Sequence, residues 1–247
     1  NVKHAAAMYS CTDAMLLALK VLGVDKGDEI ITTTFTFAST GHVICHHGAK
    51  PVFVDVDPET FNINPELIEE KITPKTKGII PVHYGGQSCD MDPIMDIASK
   101  HNLFVMEDAA HAIGTKYKGR KIGSIGDITC FSYYATKNLS TAEGGMAVTN
   151  NEEWSNRMRI LSMYGISDAR EIWHSRYSKA GAIHHDIVEL GYKCNMTDIC
   201  AGIGLHQLAK LDMFNLKREK FAKIYDESFK NHPGFKIPVI KEYSNSS

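Results

Sequence analysis

Apolar positions change their spacing repeatedly along this chain, and each change marks an element. Ala14, Leu17, Ala18 and Val21 recur at three- and four-residue intervals, so a helix starts near Thr12. Glu29 to Thr33 reads as a strand, Ala38 to His47 as a helix and Pro51 to Val54 as another strand. Asn64-Pro65 caps a short helix through Ile72, because proline is tolerated at the first helical position. Gly78 to His83 reads as a strand in which Pro81 marks a bulge or an edge. Met91, Ile94, Met95 and Ala98 outline the next helix, ending around Lys100, and Leu103 to Met106 is an unbroken apolar run of the kind buried on both faces. Strand and helix alternate from the start, which predicts an α/β fold around a mostly parallel central sheet flanked by helices.

Further along, Thr115 to Ile122 has hairpin chemistry centred on Lys118-Gly119-Arg120. Met146 to Thr149 reads as a strand, and Asn151 opens a helix with Trp154, Met158 and Leu161 on one face. Tyr164 to Cys194 is long and irregular, as functional or mobile loops are. Thr197 then begins a helical tract reaching roughly Lys230, and Phe235 to Ile240 reads as the start of a second, smaller domain. The expected division is a large domain over 1–196 and, over 197–247, the helical tract with the beginning of a small carboxy-terminal domain. The chain opens Asn-Val-Lys without methionine and stops soon after an apolar run, so an amino-terminal segment and most of the small domain are expected to be missing.

Charge narrows the partners. With 27 Lys+Arg against 29 Asp+Glu, a net charge of -2, nothing favours nucleic acid. No apolar run approaches membrane-spanning length. The six cysteines form no C-x-x-C pair, which points to reduced thiols and the cytoplasm. His184-His185 lacks the i, i+4 ligand spacing and has no acidic cluster beside it, so no metal is expected.

The candidate chemistry gathers at strand ends and turns. In Phe131-Ser132-Tyr133-Tyr134-Ala135-Thr136-Lys137-Asn138 one lysine sits amid small and aromatic neighbours. Either its amine is desolvated and nucleophilic, or its stem lies over Tyr133 or Tyr134 with the ammonium in water. Glu107-Asp108 follows a buried-type strand at the carboxyl edge, where open α/β sheets bind ligands; a carboxylate there is a structural acceptor or a ligand group. Ser10-Cys11-Thr12-Asp13 feeds a helix N-terminus, which suits a phosphate or an ordinary N-cap. Phe35 and Phe37 in a Thr-rich turn are core plugs unless a flat ring is to be stacked.

Taken in order, Ser10-Cys11-Thr12-Asp13-Ala14, Pro81-Val82-His83-Tyr84-Gly85-Gly86, Glu107-Asp108-Ala109-Ala110-His111, Phe131-Ser132-x-x-x-x-Lys137-Asn138, Ala142-Glu143-Gly144-Gly145 and Gly191-Tyr192-Lys193-x-Asn195-Met196-Thr197-Asp198 resemble one family. It is the DegT/DnrJ/EryC1/StrS sugar aminotransferases, pyridoxal 5'-phosphate (PLP) enzymes of the aspartate aminotransferase fold, fold type I. The resemblance implies that Lys137 holds the cofactor covalently and moves the substrate proton, and that Asp108 pairs with the pyridine nitrogen. It further implies His111 beside the ring hydroxyl, Phe37 stacked on the ring, and Thr12, Asp13 and Ser132 around the phosphate, the first two chiefly through backbone N–H groups. Asn195 matches a residue that reaches the phosphate from a neighbouring subunit, which implies a homodimer with shared active sites. Cys11 and Asp13 depart from the commoner Gly and Ala; a carboxylate beside a phosphate repels it, so the Asp13 side chain is expected to point away.

The implied activity is transamination of a nucleotide-linked keto sugar, with an amino acid, glutamate, as donor. The runs at 81–84 and 191–198 look most like enzymes that aminate C4 of UDP-4-keto sugars, with C3 amination or another nucleotide left open. Two rivals belong to the same scaffold: a PLP-dependent sugar dehydratase, which carries histidine where Lys137 stands, and a non-catalytic dimeric homologue. A dinucleotide-binding enzyme is disfavoured because no G-x-G-x-x-G follows a strand.

Overall fold

The computed structural model describes residues 2–167 and 186–246. Its elements are β1 (His4–Met8), α1 (Cys11–Val21), β2 (Glu29–Thr33), α2 (Ala38–His46), β3 (Lys50–Val54), β4 (Thr76–Ile79), α3 (Met91–His101) and β5 (Phe104–Asp108). The chain continues through β6 (Lys116–Tyr117), β7 (Arg120–Lys121), β8 (Ile128–Ser132), β9 (Gly145–Thr149), α4 (Glu152–Ser162), α5 (Asp198–Leu208), α6 (Leu211–Phe229) and β10 (Ser244–Asn245).

A seven-stranded sheet of order β1-β9-β8-β5-β4-β2-β3 forms the centre. Pairing is parallel from β3 through β8, and β9 runs antiparallel to both β8 and β1. Both sheet faces are covered, as the unbroken apolar runs require. Ile30, Ile80 and Met106 point into one core cluster with α1, α2 and α4, while their neighbours Ile31, Ile79 and Val105 point into the other with α3. That alternation is the two-residue period of a strand applied to sequences apolar at every position.

Several expectations shift. The strand expected over Gly78–His83 runs from Thr76 to Ile79; beyond it Pro81 has no N–H to pair, and contact with β5 resumes only as a Val82–Asp108 bridge. The short helix after Asn64 is two 3-10 turns, Pro65–Leu67 and Glu69–Lys71, with Asn64 Oδ1 accepting the Glu66 N–H at 3.0 Å. Ala5-Ala6-Ala7 forms the edge strand β1, where three alanines had given no alternation to read. The tract from Thr197 breaks at Ala209-Lys210 into α5 and α6, and α5 buries none of its residues. Residues 235–240 hold no helix or strand; the tail then returns to the sheet domain, where the Gln87 amide donates to Val239 O and accepts from Lys241 N, and β10 pairs with β6. Most of the irregular stretch read at 164–194, including His184-His185, lies outside the described residues. Among the described residues no helix is long and apolar enough to cross a membrane, no cluster could hold a metal ion, and all six cysteines are free.

Candidate active site

The parallel strands end together, and the turns that follow them enclose a cavity of about 420 Å³. At its floor Asp108, the last residue of β5, is 4% exposed. Its backbone is fixed from both sides: Asp108 N–H donates to Pro81 O at 2.9 Å and His83 N–H donates to Asp108 O at 3.0 Å. Its side chain is equally tied, Oδ2 accepting from Thr40 Oγ1 at 2.7 Å and Oδ1 from the Ala110 N–H at 3.1 Å.

Behind it lies a second buried acid, Glu107. One oxygen accepts from Thr129 Oγ1 at 2.6 Å and from the Gly126 N–H at 2.8 Å, and the other lies 2.9 Å from His83 Nε2. Burial works to raise the Glu107 pKa, and these donors overcome it and hold the carboxyl below its usual range. Pairing with Cys89 and Glu107 favours a charged His83 against its burial, toward a pKa of about 10. A second ring proton would have to sit on Nδ1, however, where the Cys89 N–H already donates at 3.0 Å. The geometry therefore makes the pair a neutral Nε2–H imidazole and a carboxylate.

Lys137 enters from the loop between β8 and β9 and is half-buried. Burial lowers its pKa from the usual lysine value, with Asp108 and Cys11 opposing. Half-burial in the cavity is the condition that the desolvated-amine reading requires. Burial, reinforced by Lys137, likewise lowers His111, whose Nδ1 accepts the Gly85 N–H at 3.3 Å.

The third wall is the start of α1. Ser10 caps it, accepting the Asp13 N–H at 3.0 Å and donating to Asp13 Oδ2 at 2.9 Å, which leaves the N–H groups of Cys11 and Thr12 without intrahelical partners. Gly145 explains why two glycines follow Glu143: a Cβ there would lie 2.3 Å from Ser10 C and 2.4 Å from Cys11 N, so glycine lets β9 pass against the helix start. At the mouth, Phe37 is 79% exposed although it is a large apolar ring lining a cavity.

Thr12, Phe37, Asp108, His111, Ser132 and Lys137 thus meet in one cavity. Asp13 stays outside it, its N–H and carboxylate both engaged with Ser10. Asn195 is outside too, in a bridge to Met8 beside β1. Sequence reading did not single out Thr36 or Thr40, and it quoted Tyr84 and Glu143 only within motifs, without a role; the i, i+4 spacing of Thr36 and Thr40 was the available signal for that pair.

The model of the DegT/DnrJ/EryC1/StrS aminotransferase family matches residues 1–247. The chain belongs to this family. The spore coat polysaccharide biosynthesis protein SpsC of Bacillus subtilis is 51% identical over 242 residues, 98% of this chain and 61% of the relative. Solved structures include S. venezuelae DesV in complex with a ketimine intermediate, with a TM-score of 0.90 and 32% identity over 100% of this chain and 62% of that one. A Streptococcus pneumoniae protein described as a sugar aminotransferase, in its PLP form, gives a TM-score of 0.87 and 36% identity over 99% of this chain and 64% of that one. The chain therefore has the fold type I architecture and spans roughly three fifths of the length of these relatives.

Proposed function

We propose that this family member is a PLP-dependent sugar aminotransferase whose substrate is a nucleotide-linked 4-keto sugar and whose amino donor is glutamate. The observation that carries the cofactor and the reaction class is the meeting of a desolvated amine, a fixed carboxylate and an open helix N-terminus in one cavity. That donor set fits PLP: a carbonyl needs an amine, a pyridine nitrogen needs an anion, and a phosphate needs free N–H groups. SpsC, named for polysaccharide biosynthesis, supports the sugar. The nucleotide, the C4 ketone and glutamate rest on the family resemblance of the runs at 81–84 and 191–198.

When bound, PLP supplies an electron sink for the carbanion formed beside the transferred nitrogen. Asp108 sets the negative charge that keeps a proton on the pyridine nitrogen. Cys11 and Thr12 N–H groups with Ser132 Oγ hold the phosphate, and exposed Phe37 covers a ring face. Lys137 Nζ would hold the cofactor, and the same amine would take and return the substrate proton, a task its lowered pKa would favour by leaving more of it neutral. Lys137 in place of histidine disfavours the dehydratase reading.

The site is shared between two copies. Ile199 and Leu205 of α5, the helix that follows Asn195 in the chain, are 79% and 76% exposed, apolar side chains that a second copy would cover. Sedimentation should give a dimer, and Leu205→Glu should weaken it; a monomeric protein that turns over sugar would contradict the shared site. For the reaction, the PLP-loaded protein is incubated with UDP-4-keto sugars and glutamate, and products are read by mass. A 4-amino sugar is expected; no amino product from any nucleotide keto sugar would overturn the assignment.

A further inference from the structure

Asp108 is held by a directed hydrogen-bond chain that the assignments above leave without a role. Thr36 lies in the turn before α2 and Thr40 in its first turn, with 2.8 Å between their Oγ1 atoms. Thr40 is fully buried, and its Oγ1 is 2.7 Å from Asp108 Oδ2. A carboxylate only accepts, so Thr40 spends its single proton on Asp108. The bond between the two threonines must then run from Thr36 to Thr40, which sets every hydrogen in the chain. Helical threonines commonly turn the hydroxyl back to a carbonyl one turn earlier. This one instead serves a carboxylate 68 residues away in sequence.

We propose that Thr40 is a positioning residue for the cofactor-binding carboxylate: its hydroxyl, oriented by Thr36, fixes the place and orientation of Asp108 Oδ2 and leaves the remaining lone pairs to the cavity. The proposal rests on the assignment of the cavity to PLP. The groups electrostatically coupled to Asp108 are Cys11, Cys130, His111 and Lys137, from α1, β8, the turn after β5 and the β8–β9 loop. None of them donates to either Asp108 oxygen among the described bonds, so Thr40 and the Ala110 N–H do that work.

The test compares wild type with Thr40→Val, which keeps the shape and removes the donor, and Thr40→Ser, which keeps the donor. PLP affinity is measured by equilibrium titration at neutral pH, beside thermal melts of the cofactor-free proteins. Thr40→Val should bind PLP about tenfold more weakly, the size expected for one hydrogen bond to a charged group. Thr40→Ser should stay within about twofold of wild type. A Thr40→Val protein with wild-type affinity overturns the proposal, as does equal damage in Thr40→Val and Thr40→Ser, which would mark a packing role. Should Thr40→Val fail to fold, Thr36→Val decides: about a threefold loss supports the chain and no loss overturns it. A wild type that binds no PLP overturns the cofactor assignment and takes this proposal with it.

Discussion

Asp108 and Lys137 face one cavity from two different kinds of support. Asp108 closes a central strand: its N–H and C=O are paired to the 81–83 segment, both its carboxylate oxygens accept, and Glu107 beside it is anchored by three further donors. Lys137 hangs on a loop whose backbone bonds are local, Lys137 N–H to Tyr134 O at 2.9 Å and Thr141 N–H to Tyr133 O at 2.8 Å, with one long-range tie from Asn138 Nδ2 to Asn215 Oδ1 at 3.3 Å, and with Tyr134, Ala135 and Thr136 exposed and Ala142 at φ +68°. The half that must stay still is built into the sheet. Under the proposed assignment, the half that would attach, release and carry a proton is hung from its edge.

The largest effect should come from breaking the fixed half. Glu107→Leu leaves His83, Thr129 and the Gly126 N–H with no acceptor in a dry interior, and unfolding free energy should drop by about 3–5 kcal/mol in denaturant titration. Gly145→Ala comes next. A Cβ at 2.3 Å from backbone forces the start of α1 away from β9, which should cost about 1–3 kcal/mol and weaken phosphate binding as well. Retained stability with retained PLP affinity would show that the helix start tolerates movement.

The pH dependence follows from the lowered pKa of Glu107. A carboxyl held below its unfolded value near 4.5 contributes stability that is fully present above that pH and lost as pH falls through the lower folded value. Wild type should therefore lose more stability than Glu107→Gln as pH is lowered from about 6 to about 3, across the carboxyl range. Parallel curves would mean Glu107 gains nothing from its partners. The smallest effect belongs to the adjustable half. A lysine with a lowered pKa costs stability while it is charged, so cofactor-free Lys137→Ala should melt no lower than wild type.

Much of the frame was legible because strands buried on both faces announce themselves as unbroken apolar runs: Glu29 to Thr33 matches β2 residue for residue, and Asn151 caps α4 as its position implied. Thr76 to Val82 was less legible, since Pro81 ends regular pairing at a place only the neighbouring strand defines. In the site, the motifs named most of the residues that meet, but Thr40 went unread and Glu107, though named, had no assigned partner. A threonine at a helix start and an acid beside another acid look ordinary until their partners, 68 and 24 residues away in sequence, are known. The α5–α6 break at Ala209-Lys210 was invisible because both residues suit a helix interior.

The most direct test is borohydride reduction of the protein incubated with PLP, wild type beside Lys137→Ala, with the labelled peptide identified by mass. Wild type should carry the reduced cofactor on Lys137, and the variant should carry none. A label on another lysine, or equal labelling of the variant, would contradict the assignment of Lys137 and with it the division between a fixed carboxylate and a working amine.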